Sequence, residues 1–129
     1  MQANGPDPAG GAPTRHLGLD LGGTNLKWTV VVHAAGDWRV VDRGQVATRT
    51  GGPDAIVPQL AEVAGMAMAR VTGPGAGPGP AVSTAGIGVP GLYDPRTGAT
   101  RFLVNIPGPW NGYPVTAPVG SKLASNVSM

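Results

Sequence analysis

The chain has 129 residues, no cysteine, and a net charge of +2 from nine basic and seven acidic side chains. This length suits one domain with a substantial core. The absence of cysteine excludes disulfides and thiolate chemistry, and the scattered basic residues argue against a nucleic-acid partner. No apolar run approaches the roughly 18 residues of a membrane span, and the N terminus lacks the apolar segment of a signal peptide. We therefore expect a cytoplasmic protein with no membrane partner.

The first predicted elements are three strands, which follow a leader at residues 1–14. The leader is rich in Gly, Pro and Ala, and we expect it to be disordered. The strands are predicted at 16–21, 26–34 and 38–48, where apolar and β-branched residues dominate. Short turns separate them, so the three strands are expected to form consecutive antiparallel hairpins.

The turn between the first two strands, residues 22–25, is called the glycine turn below. Gly22 and Gly23 are expected there because glycine accepts the positive φ of tight hairpin turns. Their backbone amides also have no Cβ in the way, so an anionic oxygen could approach them. Asp20 is placed to hold a hydrated divalent cation. The residues alone leave two interpretations open: a site for nucleotide phosphate, or a plain hairpin with a solvated Asp20.

A helix is predicted next, from Pro53 up to a flexible linker at 73–80. Pro53 and Asp54 suit its first turn. Apolar side chains recur at helical spacing and predict one buried stripe. Met66 and Met68 are interpreted as core filler rather than as ligands. The stripe comprises Ile56, Val57, Leu60, Val63, Ala64, Ala67, Met68 and Val71.

The rest of the chain predicts a mixed sheet. A strand is expected at 81–89, a turn-rich loop at 90–98, a short strand at 99–104, an irregular loop at 105–113 and a last helix at 114–124. Because a helix connects the third strand to a later one, this β-β-β-α-β-β order with a terminal helix predicts an α/β fold. If the first and fourth strands are parallel neighbours, the glycine turn and Pro90–Gly91 lie on one rim of the sheet.

Two groups of residues resemble a known family. The segment Asp20-Leu-Gly-Gly-Thr-Asn25 resembles the first phosphate motif of sugar kinases in the actin-like ATPase superfamily. The segment Gly86-Ile-Gly-Val-Pro-Gly-Leu-Tyr-Asp94, then Thr97-Gly98 and Asn105-Ile-Pro-Gly-Pro-Trp110, follow in the family's order. Together they resemble the N-terminal lobe of ROK-family kinases, bacterial glucokinases especially. The resemblance covers residues 15–120 and leaves 121–129 as a tail outside the family pattern.

The resemblance implies a ribonuclease-H-like lobe of a two-lobed kinase. Such a kinase transfers phosphate from ATP, with Mg²⁺, to the 6-hydroxyl of a hexose, here glucose by preference. It also implies a homo-oligomer for the full-length family. The choice of hexose, and of ATP or polyphosphate as donor, stays open.

The resemblance also implies roles for particular residues. Asp20 would hold magnesium through water, and Gly22, Gly23 and Thr24 would face the phosphates. Many relatives have Lys where Asn25 stands, so Lys27 is the alternative cation, although it could equally be a solvated side chain. Pro90, Gly91 and Asn105 would line the sugar pocket. Trp110 would either wall that pocket or pack in the core, and Tyr93, Asp94 and Arg96 are interpreted as turn residues.

The sequence departs from the family pattern after Gly120. The family's general base is an Asp in an Asn-Asp pair, and no Asp or Glu follows Asp94 here. The second lobe is also missing, with its adenosine pocket and its zinc site, so Zn²⁺ is expected only in that lobe. A lost general base costs about 10²–10⁴ in rate, and lost positioning costs more. We therefore expect a fragment that is inactive alone. The alternatives are a ROK-type sugar-sensing regulator, a non-catalytic fragment of an actin-like ATPase, or a partner module.

Overall fold

The computed structural model describes residues 12–72, 82–124 and 127–129, which form two sheets and two helices. The larger sheet has five strands in the order β3-β2-β1-β4-β8, and the smaller has three in the order β5-β6-β7. The strands of the larger sheet are β1 (Thr14–Leu21), β2 (Asn25–Ala34), β3 (Asp37–Ala47), β4 (Thr84–Gly88) and β8 (Val127–Ser128). The smaller sheet contains β5 (Gly91–Asp94), β6 (Ala99–Leu103) and β7 (Tyr113–Pro114), and the helices are α1 (Pro53–Thr72) and α2 (Thr116–Leu123).

The predicted α/β fold with a mixed sheet is confirmed. β1 pairs antiparallel with β2, β2 pairs antiparallel with β3, and β1 pairs parallel with β4. The chain passes from β3 through α1 to β4, so a helix makes the crossover that parallel pairing requires. In the β1–β4 register, Asp20 lies beside Gly88. The segments that follow these two strands therefore begin at the same rim of the sheet, as predicted.

The core lies between α1 and one face of the larger sheet. Leu17, Leu19 and Leu21 of β1 are at most 3% exposed, because alternate residues of a strand face the same side. The predicted stripe of α1 is buried except at Val71, which is only partly covered. Met68 is buried and Met66 packs against the core, so their interpretation as core filler is confirmed. Neither helix of the described residues has the length and apolarity to cross a membrane.

The predicted loop at 90–98 is wrong in its first half. Gly91–Asp94 forms β5 and pairs with β6. Its residues are exposed except for Asp94, so they show no alternation of apolar and polar positions that would predict a strand. The two-residue strands β7 and β8 were also not predicted. Such short strands carry no periodic signal and exist only through their partners.

Several predicted boundaries differ from the observed ones. β1 begins at Thr14, two residues before the prediction, and Arg15 is buried within it. The last helix begins at Thr116 instead of 114, because Tyr113–Pro114 pairs with β6 and is therefore extended. Residues 1–11 of the predicted leader, the linker at 73–80 and residue 81 of the fourth strand lie outside the described residues.

Candidate functional site

The glycine turn closes the β1–β2 hairpin, but not by the predicted mechanism. The amide of Gly22 donates to the carbonyl of Asn25 at 2.9 Å, so Gly23 and Thr24 form the two-residue loop. Positive φ at Gly22 and Gly23 was a wrong prediction, since the positive-φ glycines of the described residues lie elsewhere. Space explains these glycines instead. A Cβ on Gly22 would lie 2.9 Å from the backbone carbonyl oxygen of Asn25. A Cβ on Gly23 would lie 2.9 Å from the backbone carbonyl oxygen of Asn105.

The loop of the glycine turn presents unpaired amides. Gly23 and Thr24 are exposed, and no oxygen within the described residues accepts a hydrogen bond from either amide. Successive amides without protein acceptors form a site to which an anionic oxygen can bind. The Thr24 hydroxyl lies on the same loop. These groups fit a phosphate oxygen better than they fit a neutral group, because each of them is a hydrogen-bond donor.

Asp20 and Lys27 are directly opposite each other in the β1–β2 register. Both are exposed, and directly opposite residues place their side chains on the same face of a sheet. A Cβ on Gly88 would lie 3.8 Å from Oδ1 of Asp20, an ordinary van der Waals distance, so Gly88 lies directly beside this carboxylate. This face is the one opposite α1, where alternate residues of β1 point. An acid and a base thus flank the strand ends that lead into the glycine turn.

The donor set near Asp20 suits magnesium bound together with a phosphate. Within the described residues, no three His, Cys, Asp or Glu side chains come together to hold a metal ion. Mg²⁺ usually binds through one or two carboxylates plus substrate phosphates instead of a dedicated protein cage. A single exposed carboxylate next to unpaired amides therefore fits a magnesium–phosphate group, whereas a structural metal does not fit.

Thr48, which follows β3, makes two hydrogen bonds to the glycine turn. Its amide donates to the Thr24 carbonyl at 2.9 Å, and its hydroxyl donates to the Gly22 carbonyl at 2.7 Å. The side chain of Gln59 then holds the residues on either side of Thr48. Its Nε2 donates to the Ala47 carbonyl at 2.8 Å, and its Oε1 accepts from the Arg49 amide at 2.9 Å. Gln59 is only 5% exposed, so its amide is buried and paired at both ends.

The sequence interpretation missed Thr48 and Gln59. A signal was present for Gln59, because it is a polar residue within the buried stripe of α1. Buried polar side chains nearly always have specific hydrogen-bond partners. Nothing in the sequence pattern points to Thr48, since its partners precede it by more than twenty residues and lie on another hairpin.

A cavity of about 380 Å³ lies between the glycine turn, the start of α1 and the segment that begins at Asn105. Residues 105–113 are called the Asn105 loop below. Gly23 and Asn105 both line the cavity, so two of the predicted site residues come together there. Its charged lining residue, Arg49, is paired with Glu62 at 2.6 Å. The other lining residues are small, apolar or hydroxyl-bearing: Thr48, Thr50, Gly51, Gly52, Ile56, Ile106, Pro107, Gly108 and Pro109.

Pro90 and Gly91 do not line this cavity. They lie at the rim beyond β4, where the carbonyl of Pro90 accepts from the Val104 amide at 2.7 Å. A Cβ on Gly91 would collide with the Phe102 carbonyl, so close packing against β6 already requires glycine. Asn105 follows Val104 directly and is exposed, with a positive φ of 62°. The pairing of β5 with β6 therefore brings Pro90–Gly91 and Asn105 to neighbouring ends of one hairpin.

The aromatic residues of the Asn105 loop, Trp110 and Tyr113, attach the loop to the rest of the fold. Trp110 is 3% exposed, and its Nε1 donates to the Ile106 carbonyl at 2.8 Å, so of the two roles predicted for it the core role is confirmed. The Tyr113 hydroxyl donates to Asp54 at 2.7 Å. This hydrogen bond raises the pKa of Tyr113 above its ordinary value, with burial and the charge of Asp54 adding to the effect. Asp94 accepts from the Arg96 amide at 2.9 Å, which is a turn contact as predicted. The interpretation of Tyr93 as a turn residue is wrong, because Tyr93 lies in β5 and pairs with Thr100.

No protein-family model and no curated protein matches the sequence. Solved structures do match. The ROK hexokinase from Thermus thermophilus superposes with a TM-score of 0.64 and 31% identity over 88% of this chain. The resemblance to ROK-family sugar kinases is confirmed. The inorganic polyphosphate/ATP-glucomannokinase from Arthrobacter sp. strain KM matches with a TM-score of 0.64 and 23% identity over 88% of this chain.

The ROK fold is shared with a protein that is not described as a kinase. A ROK family transcriptional regulator, a homologue of the E. coli MLC protein, matches with a TM-score of 0.65 and 15% identity over 88% of this chain. This chain spans 33% of the hexokinase, 42% of the glucomannokinase and 26% of the regulator. The similarity therefore concerns one lobe of the ROK proteins and not their whole length.

Proposed function

We propose that this chain is the N-terminal lobe of a ROK-type sugar kinase, which transfers phosphate from MgATP to the 6-hydroxyl of a hexose, with glucose as the favoured acceptor. The observation that carries the proposal is the close approach of Gly23 to Asn105, with a cavity beside them. A phosphate-binding turn and a sugar-binding amide must be neighbours if phosphate is to pass from one ligand to the other, because the reacting atoms have to meet.

The nucleotide side of the proposed site uses the glycine turn and its flanking strands. The amides of Gly23 and Thr24 and the Thr24 hydroxyl would bind phosphate oxygens, with Gly22 and Asn25 closing the turn. Asp20 would bind magnesium through water. When bound, that ion offsets the negative charge of the phosphates. Lys27, opposite Asp20, is the cation that we assign in place of the lysine that many relatives carry at the position of Asn25.

The acceptor side uses Pro90, Gly91 and Asn105. These residues offer backbone groups and one side-chain amide, which can bind hydroxyls without adding charge. We favour glucose because the segment from Gly91 to Gly98 resembles the corresponding loop of glucokinase-like ROK proteins. Polyphosphate in place of ATP is the alternative donor.

The proposal assigns binding, but not turnover, to these 129 residues. No Asp or Glu follows Asp94 in the sequence, so the acid that takes the proton from the attacking hydroxyl is not among them. We also propose that residues 121–129 form a tail outside the family pattern and that the Zn²⁺ site belongs to the second lobe. A cytoplasmic location, a homo-oligomeric full-length protein and the lack of a nucleic-acid partner also remain predictions.

A sugar-sensing regulator is the second candidate. It is motivated by the match of this fold to a ROK family transcriptional regulator, since a sensor needs sugar binding without phosphate transfer. The two candidates differ in the nucleotide. A kinase lobe binds MgATP at the glycine turn, whereas a sensor binds sugar alone.

Titration of the purified 129-residue chain, followed by amide NMR, tests the proposal. We expect MgATP to shift the amides of residues 22–25 and glucose to shift those of Gly91 and Asn105, with no measurable turnover. Asp20→Asn should weaken MgATP binding. Its matched control is Asp37→Asn, because Asp37 is equally exposed but lies at the far end of the sheet. Glucose shifts without MgATP shifts would favour the sensor, and no shift with either ligand at millimolar concentration would refute both.

A further inference from the structure

We propose that Thr48 is a positioning residue for the glycine turn and that Gln59 holds Thr48 in place. Thr48 fixes the direction in which the Gly23 amide points, and thereby prepares that amide for a phosphate oxygen. The role of that amide in binding phosphate rests on the proposed function, but the positioning itself does not.

Thr48 first contacts the peptide unit between Gly22 and Gly23. Its carbonyl belongs to Gly22 and its amide to Gly23, and in a planar trans peptide the two point in opposite directions. The hydroxyl of Thr48 donates to that carbonyl at 2.7 Å. Because the carbonyl is held toward Thr48, the Gly23 amide must point away from it. This explains why the amide has no acceptor among the described residues while its carbonyl neighbour is paired.

The second hydrogen bond from Thr48 acts on the other side of the two-residue loop. The Thr48 amide donates to the Thr24 carbonyl at 2.9 Å, one step beyond the last β2–β3 pair, Asn25 with Ala47. Both peptide units that flank the loop are therefore held from outside the hairpin. Neither Gly22 nor Gly23 has a positive φ, and a glycine pair without outside contacts would be free to adopt many conformations. Thr48 supplies that restraint.

Thr48 is itself attached to the core through its neighbours. Thr48 has no secondary structure of its own, but Ala47 and Arg49 on either side are both bonded to the Gln59 side chain, at 2.8 and 2.9 Å. Gln59 sits on the buried face of a 20-residue helix next to Leu60, which is fully buried. Its amide orientation is fixed, because one partner is a donor and the other an acceptor. The helix α1 therefore fixes the position of Thr48, and Thr48 in turn fixes the glycine turn.

Removing the hydroxyl of Thr48 tests the positioning of the glycine turn separately from folding, because the backbone hydrogen bond of Thr48 is kept. The backbone hydrogen bond only extends a sheet that is already formed, whereas the hydroxyl bond reaches a carbonyl with no other donor in the described part of the chain. Thr48→Val removes the hydroxyl at nearly constant shape, and Thr48→Ser restores it. The matched control is Thr29→Val, because Thr29 lies in the middle of β2, outside the cavity, and its hydroxyl has no hydrogen bond within the described residues. Thr48→Ala is a second variant that lacks the hydroxyl.

The test measures two properties of the 129-residue chain in each variant. The first is the hydrogen-exchange rate and ¹⁵N relaxation of the Gly23 amide without nucleotide, and the second is the dissociation constant for MgATP. In Thr48→Val and Thr48→Ala we expect faster motion of the Gly23 amide and a loss of MgATP affinity of about five- to tenfold, as for one lost hydrogen bond. Thr48→Ser and Thr29→Val should stay within about twofold of the parent chain.

Each result has one meaning. An unchanged Gly23 amide in both variants without the hydroxyl overturns the positioning role, whatever happens to MgATP. An equal change in Thr29→Val would do the same, because it would show that loss of any threonine hydroxyl loosens the fold. A parent chain that does not bind MgATP refutes the proposed function but leaves the Gly23 measurement to decide the positioning. Unfolding midpoints for all variants check that the effect does not follow global stability.

Discussion

Substituting Gly23 by alanine tests the central contact of the site. A Cβ on Gly23 would lie 2.9 Å from the carbonyl oxygen of Asn105 and 3.6 Å from its Cβ. The first distance is shorter than an ordinary carbon–oxygen contact, and the neighbour is backbone, so either the glycine turn or the Asn105 loop must move. Because the φ of Gly23 is not positive, alanine itself is tolerated by the backbone and the cost is steric.

The magnitude follows from two opposing effects. Overpacking a well-ordered contact costs about 1–3 kcal/mol of unfolding free energy. Replacing glycine by alanine gives back about 0.4–1 kcal/mol by restricting the unfolded chain. We therefore expect Gly23→Ala to be less stable by about 1–2 kcal/mol, a decrease of about 3–5 °C in the unfolding midpoint for each kcal/mol at this chain length. MgATP binding should weaken as well, since the turn is displaced.

Gly86→Ala is the matched control. Gly86 lies in the middle of β4, its φ is not positive, and a Cβ there would meet no atom within 4 Å. Only the restriction of the unfolded chain remains, so this variant should be neutral or slightly more stable. Urea unfolding followed by the fluorescence of the buried Trp28 and Trp110 measures both variants. Equal stability of the two would show that Gly23 and Asn105 are not in contact, and the argument for a shared site would fail.

Two further predictions concern the ion pair between Arg70 and Asp42 and the buried core. Arg70 and Trp28 donate to Asp42 and hold the pKa of that carboxyl below its ordinary value of 3.8. A lowered folded pKa stabilises the chain above the unfolded pKa and loses this contribution as pH falls through the folded one. Because the Arg70 side chain is 57% exposed, solvent screens the pair, and Asp42→Asn should cost about 0.2–1 kcal/mol at pH 7. The variant should also lose less stability than the parent chain below about pH 4; an unchanged acid limb in urea midpoints measured from pH 7 to 2.5 would contradict this. Leu60→Ala, at a fully buried position, should cost about 2–5 kcal/mol, whereas Val40→Ala, at a side chain that is 51% exposed, should stay within about 0.5 kcal/mol; similar thermal midpoints would contradict the assignment of the core.

The sequence was informative wherever residues repeat with a regular period. The spacing of Ile56, Leu60 and Val63 predicts α1, and the alternation of Leu17 and Leu19 predicts β1. Both patterns exist because one side of each element is buried against the other. The order of the elements also predicted a mixed sheet, because a helix connects β3 to β4, but it did not decide that β4 pairs with β1.

The contacts that build the candidate site could not be predicted in this way. Gly23 meets Asn105 only because β5 and β6 pair, and β5 has no burial pattern that would reveal it. The glycines of the turn were predicted for a conformational reason, and the structure gives a spatial one. A motif of two glycines supports both explanations, because it shows that a side chain is absent but not what occupies its place.

Both sides of the cavity are attached to the same helix. On one side, Gln59 of α1 holds the segment that carries Thr48, and Thr48 holds the glycine turn. On the other side, Tyr113 of the Asn105 loop donates to Asp54 in the first turn of α1, and a Cβ on Gly108 would lie only 2.6 Å from Pro53. The distance between the glycine turn and Asn105 is therefore set by α1 and not by either loop alone. A substitution within the first two turns of α1 should consequently change both ligand sites together, whereas a change in one loop should affect one site first.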